Sequence, residues 1–316
     1  MLVIDHRKNI VKNARDLFPA EIIGSRWILY HGTTNYSEEQ IETEGFRWRD
    51  SDYTRGDVEK VISIYKAMDW LGSTSDGFGS LQTYAMNQDF QKSNGKPIFF
   101  NLLPDEVIQY TKRWRTGGET ANLLHRAIDE LQQFLKDEDV RREFRASRYK
   151  PMLNQLGSYT LPKPLHGVAP EEATAEHCEL LAGYLNDLAG HQIVFPRLHP
   201  VFPEDRKYSP WKEDLDWLAK SISDLSKVYD KLNRMMESYA YGVIYAVRFN
   251  RDDVSCMENL NTGLENGIAR HDAVHQDRIV AKALISGRQP RLGTDMKLFL
   301  VARNTEEGIF NLLLSP

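Results

Sequence analysis

WILYHGTTNYSEEQIETEGF, residues 27–46, decides how the rest of the chain is read. The apolar run from Arg26 to Tyr30 predicts a short strand that delivers His31 and Gly32 at its end. Ser37, with Gln40 three residues on, predicts a capping box, and Gly45 supplies a left-handed close, so 38–44 is a short helix.

Outward from this stretch, residues 5–18 have helical apolar spacing that stops before Pro19. Asp57 predicts the cap of another helix, with Val58, Val61, Ile62, Tyr65, Met68 and Leu71 on one face before Gly72. STSDGFG, at 73–79, leads to a third expected helix over 80–91. The Asn94-Gly95 turn then releases the strand KPIFFNLL. From about 104 to 238 helical spacing dominates: Leu123, Leu124, Ala127, Ile128, Leu131, Phe134 and Leu135 form one stripe, and Cys178, Leu181, Tyr184, Leu185 and Leu188 another. Ser209-Pro210 predicts the start of a helix running to about Ser238, about 40 Å long at the usual rise per residue. Strands return in GVIYAVRF (242–249), RIVAKALI (278–285) and KLFLVA (297–302). The expected class is α+β, with core halves 1–103 and 239–316 interrupted by a helical insertion at 104–238.

Composition bounds the function. A chain of 316 residues, 41% hydrophobic, can bury a substantial core. A formal charge of -5 and a pI near 6.0 give no global attraction to nucleic acid or membrane, so any such contact needs a local patch. Cys178 and Cys256 are too few for a disulfide framework, which points to a reducing, cytoplasmic setting. No apolar run approaches the roughly 18 residues of a membrane span, and the N-terminus lacks a signal-peptide core.

LYHGTT, followed by a short helix and Glu44-Gly45-Phe46, resembles the first signature of the ADP-ribosyltransferase superfamily, in its diphtheria-toxin and poly(ADP-ribose)-polymerase branch. LGSTSDGFGSLQTYAMN resembles the second motif and HQDRIVAKALI the third. The resemblance covers roughly 26–103 and 240–302. It implies a split β-sheet core, NAD as co-substrate and a His-Tyr-acid site.

In that site His31 donates to a ribose hydroxyl, the Gly32 backbone grips the carboxamide, and Tyr84 lies on the nicotinamide. Thr33, Tyr65, Ser73 and Phe78 stand nearby. Asp277 holds the ribose while positive charge develops on the sugar; it stands where the family has glutamate, and Gln276 and Glu265 are alternatives. The chemistry suits these residues, because cleaving the nicotinamide–ribose bond builds oxocarbenium-like charge that a carboxylate stabilises. Stand-alone microbial members further imply a toxin or phage-defence effector with a neutralising antitoxin or immunity partner.

His271 and His275, in HDAVH, have the spacing of zinc ligands on a helix but lack a third ligand, so no metal is expected. Walker, GxGxxG and GxSxG sequences are absent. Two basic stretches with interleaved aromatics, Lys112-Arg113-Trp114-Arg115 and RREFRASRYK at 141–150, stand out. Five of the ten residues in the second are Lys or Arg, and the acidic average makes that contrast a candidate RNA or DNA surface through Lys112, Arg113, Arg115, Arg141, Arg142, Arg145 and Arg148. The sequence therefore supports a mono-ADP-ribosyltransferase acting on a macromolecule, nucleic acid ahead of protein. An NAD glycohydrolase, or a catalytically inactive nucleic-acid- or protein-binding module, is the alternative.

Overall fold

GVIYAVRF lacks the alternation of a half-exposed strand, and such a run needs cover on both faces. In the computed structural model, which describes residues 1–25, 27–47, 53–68, 98–156, 160–194, 213–259, 267–290 and 292, its strand β4 (Gly242–Arg248) is buried at every position but the last. It lies between β2 (Ile28–Thr34) and β7 (Ile279–Ile285), antiparallel to both. The other strands are β1 (Leu2–His6), β3 (Ile98–Asn101), β5 (Met257–Asn259) and β6 (Gly267–Arg270). Together they form a seven-stranded mixed sheet in the order β1-β7-β4-β2-β3-β6-β5.

The described residues divide into two compact units. The sheet unit takes those within 1–52, 86–122 and 231–316, and the helical unit those within 53–85 and 123–230. The expected insertion at 104–238 is therefore displaced. Residues 104–122 belong with the sheet, where the 3-10 turn Glu106–Thr111 covers β2, and α3 (Arg55–Ala67) belongs with the helical unit.

In the sheet unit, short α1 (Ala20–Ile23) and the Glu106–Thr111 turn cover one face, and α2 (Glu38–Glu44) lies on the other. The helical unit contains α3, the greater part of α4 (Glu119–Lys136), α5 (Glu138–Gln155), α6 (Ala175–Val194) and α7 (Leu215–Ser223). The stripe read from α4 is buried at Leu123, Leu124, Ala127, Ile128, Leu131 and Phe134. Cys178, Leu181 and Leu185 form a second cluster with Tyr149, Met152 and Leu165.

Several expectations are corrected. Residues 5–18 are not a helix: Leu2–His6 pairs in parallel with β7, and only Ala14–Asp16 makes a 3-10 turn. The helical spacing was a burial signal nonetheless, since Val11, Ala14, Leu17 and Phe18 enter the core. Ser37 makes no side-chain cap, because the chain enters α2 through a 3-10 turn over Asn35–Ser37. Asp57 is not the cap of α3 but its third residue, closing a reciprocal box with Thr54. The long helix to Ser238 is broken into α7 and α8 (Ser226–Glu237), with Asp214 capping α7 through a 2.8 Å bond from the Trp217 N–H. The helix expected at 80–91, the strand at 297–302 and the Ser209-Pro210 start lie outside the described residues.

Candidate functional site

His31 lies beside the residue pair that joins β2 to β3. Strand β2 pairs with β4 at seven successive residues, and β3 pairs with β6 along its whole length. Between β2 and β3 only Tyr30 and Asn101 are paired. The next residue is His31, inside β2 and not at its end, and its Nδ1 lies 2.8 Å from the Phe99 carbonyl oxygen. A carbonyl only accepts, so Nδ1 carries the proton of the neutral ring and Nε2 is left as an acceptor. Burial pushes the imidazole pKa below its usual value, against the opposing pull of the Phe99 bond. In this state His31 offers an acceptor nitrogen, whereas the resemblance implies a donor. Its ring meets Phe46 at 4.9 Å and Phe100 at 5.6 Å between centroids, both at steep angles.

Along the same rung, His31 stands opposite Tyr245, and Tyr245 opposite Lys282. Lys282 is buried and bonds Glu38 at 2.6 Å and Glu42, both on α2. Burial would lower the lysine's pKa, but the two glutamates override it and raise it. Tyr241 donates to Glu38 at 2.7 Å, and Tyr245 to Glu42 at 3.3 Å. Burial, then the charges on Glu42 and Glu38, push the Tyr245 phenol far up, so it remains a neutral donor. These bonds fasten α2 to the sheet.

Gly45 then turns the chain at φ +76°, and a Cβ there would stand 2.2 Å from the Val274 oxygen, which is why glycine occupies this turn. Phe46 and Val274 exchange backbone bonds of 2.8 Å each. The third-motif segment is thereby tied to the first. HDAVH is consequently extended around Val274 and not helical, so His271 and His275 lack the helical arrangement their spacing suggested.

Asp277 lies in the 3-10 turn Gln276–Arg278 before β7, with 83% of its side chain exposed and Oδ2 3.1 Å from His275 Nδ1. An open depression of about 350 Å³ is walled by Met1, Glu42, Gln276, Asp277 and Ile279 among the described residues. The structure thus brings Asp277 and Gln276 to Glu42. It does not bring Asp277 beside His31: the residue on the His31 rung is Lys282, five positions further along, two strands away.

The remaining expected positions fall differently. A Cβ on Gly32 would meet the Val107 oxygen at 2.2 Å, so this glycine admits the backbone of a covering turn and does not leave that face open to a carboxamide. Thr33 is half-buried beside it. Tyr65 is fully buried in the helical unit, its hydroxyl bonded to the Ala127 oxygen at 3.0 Å and to Glu130 at 2.9 Å. Ser73, Phe78, Tyr84 and Glu265 lie outside the described residues.

The basic stretches are tied into the fold. Lys112 caps the Gln289 carbonyl and Arg113 that of Met236, while Arg115 stacks on Trp114 at 4.4 Å. Arg141 closes the end of α4 through the Phe134 and Leu135 oxygens, both at 2.8 Å. Arg145 is shared by Glu138 and Glu213, the latter at 3.0 Å. Arg142 alone of these pairs has a largely exposed guanidinium, 2.7 Å from Asp139. Arg148 is half-buried. The interleaved aromatics, Phe144 and Tyr149, are core residues. The pattern is that of arginines bridging helices, which the linear count could not separate from a phosphate-binding face.

Sequence reading missed Glu38, Glu42, Tyr245 and Lys282. A lysine alone inside IVAKALI was the available signal, because a buried ammonium requires partners. No described helix is long and apolar enough to cross a membrane. Compared with protein-family models, curated proteins and solved structures, the chain gives no match.

Proposed function

We propose that the chain is an NAD-consuming enzyme of the ADP-ribosyltransferase type, with His31 binding the nicotinamide ribose. One observation carries this reading: the imidazole is fixed at Nδ1 by a backbone carbonyl, in an aromatic setting, beside the residue pair that joins β2 to β3. A split sheet with the first-motif histidine at the split is the arrangement the resemblance implies. The imidazole fits the substrate, since Nε2 can accept from a ribose hydroxyl, while Phe46 and Phe100 pack around the ring and hold its pose.

In the reaction the nicotinamide–ribose C–N bond breaks, the electron pair leaves with nicotinamide, and an acceptor oxygen or nitrogen attacks C1′ and loses its proton. The acceptor is a protein side chain or water, because Arg141 and Arg145, the core of the candidate nucleic-acid surface, are neutralised by Glu138 and Glu213. Incubation with NAD labelled in the adenosine should yield labelled protein or free ADP-ribose, with nicotinamide released in equal amount. His31→Ala should lower nicotinamide release at least tenfold. Undiminished turnover in that variant would remove His31 from the site, and no turnover by the native protein would remove the activity.

A further inference from the structure

The row of rings that starts at His31 ends at two arginines. Phe100 meets His31, and Phe249 meets Phe100 edge-on at 5.2 Å. The Arg270 guanidinium lies over Phe249, 5.5 Å from its centroid. Phe100 pairs with Ile268 and Ile98 with Arg270 along β3 and β6, so side-chain alternation puts Arg270 on the same face as Phe100 and His31.

Asp253, itself buried, holds this end together. Its Oδ1 is 2.9 Å from Arg270 Nη1, and its Oδ2 is 3.1 Å from Arg278 Nη1 and accepts the Asn250 N–H at 2.8 Å. One carboxylate therefore serves two guanidiniums. It takes one N–H from each of two groups that have five. Arg270 Nε is buried without a hydrogen-bond partner, which an acceptor would relieve. Arg278 is 39% exposed, so its remaining donors open to solvent. Asp277, the neighbouring acid, is engaged with His275. Planar donor forks beside an apolar ring match the oxygens of a phosphate or diphosphate.

We propose that Arg270 and Arg278, preset by Asp253, bind the diphosphate of the dinucleotide whose nicotinamide ribose sits at His31. This rests on the NAD reading and extends it by assigning the ligand's charged centre to Arg270, outside all three sequence motifs, and to Arg278, which the third motif contains without a stated role. Calorimetric titration of the full chain with ADP-ribose, NAD and nicotinamide riboside, which lacks phosphate, tests it.

Arg278→Gln should weaken ADP-ribose and NAD at least tenfold and leave nicotinamide riboside within twofold. Arg278→Lys, which keeps the charge but not the fork, should show a smaller loss; it also serves if the Gln variant does not fold. Unchanged ADP-ribose affinity in these variants, with NAD still bound by the native protein, would overturn the diphosphate assignment alone. Equal losses for nicotinamide riboside would overturn it too, since Arg278 would then act on the shape of the site. Native protein that binds neither NAD nor ADP-ribose would overturn both proposals.

Discussion

At the scale of the residue, His31 was legible as chemistry but not as geometry. An imidazole followed by glycine after an apolar run marks a special position in any strand. That its Nδ1 would be held by Phe99, 68 residues away, depends on where β3 leaves β2, and no local pattern encodes that. Gly32 shows the same limit: the resemblance gives its backbone to a carboxamide, whereas its missing Cβ makes room for the Val107 carbonyl. The His31 environment has a pH consequence. Burial lowers its pKa from 6.5, so the unfolded chain binds the proton more readily. The stability contributed by the neutral ring is complete above that value and is lost as pH falls below it toward the folded-state pKa. Urea midpoints at acidic and neutral pH should therefore differ more for the native protein than for His31→Gln. Identical pH dependence in the two would show that the imidazole is not held neutral.

Among the elements, several were legible. GVIYAVRF and RIVAKALI are strands, 38–44 is a helix, and the 123–135 stripe is a buried helix face. β1 was not, because a strand on the sheet's edge is defined by β7 and not by its own spacing. The fastening of α2 was half legible, with Lys282 conspicuous and its partners Glu38 and Glu42 separated from it by 244 and 240 residues. That fastening positions Gly45 and Phe46, hence one wall beside His31. Lys282→Ala leaves two carboxylates largely buried without their cation, and should cost about 3–5 kcal/mol, the range for breaking a buried ion pair. Lys282→Met combined with Glu38→Gln and Glu42→Gln should recover most of that loss. Urea unfolding distinguishes these outcomes, and a cost below about 1 kcal/mol for Lys282→Ala would mean that the pair does not hold α2.

The whole molecule departs furthest from a linear reading. Its helical unit is assembled from 53–85 and 123–230, two stretches separated by a piece of the sheet unit, so a single insertion boundary cannot describe it. The basic stretches carry the same lesson, since Arg141 and Arg145, paired with Glu138 on their own helix and with Glu213, have the composition of a nucleic-acid surface but are themselves largely buried. With a net charge of -5 as well, the protein should show no binding to single-stranded oligonucleotides at physiological salt by fluorescence anisotropy. Salt-sensitive binding abolished by Arg142→Glu would restore the nucleic-acid reading. The proposed function turns on a neutral imidazole offering Nε2 to a sugar hydroxyl. Nitrogen-15 NMR of the His31 ring during titration with NAD measures this directly. A protonated Nδ1, with a bare Nε2 whose resonance moves saturably as NAD is added, is the predicted result. A proton on Nε2 in the free protein, or a ring signal that NAD does not move at any concentration tested, would contradict it.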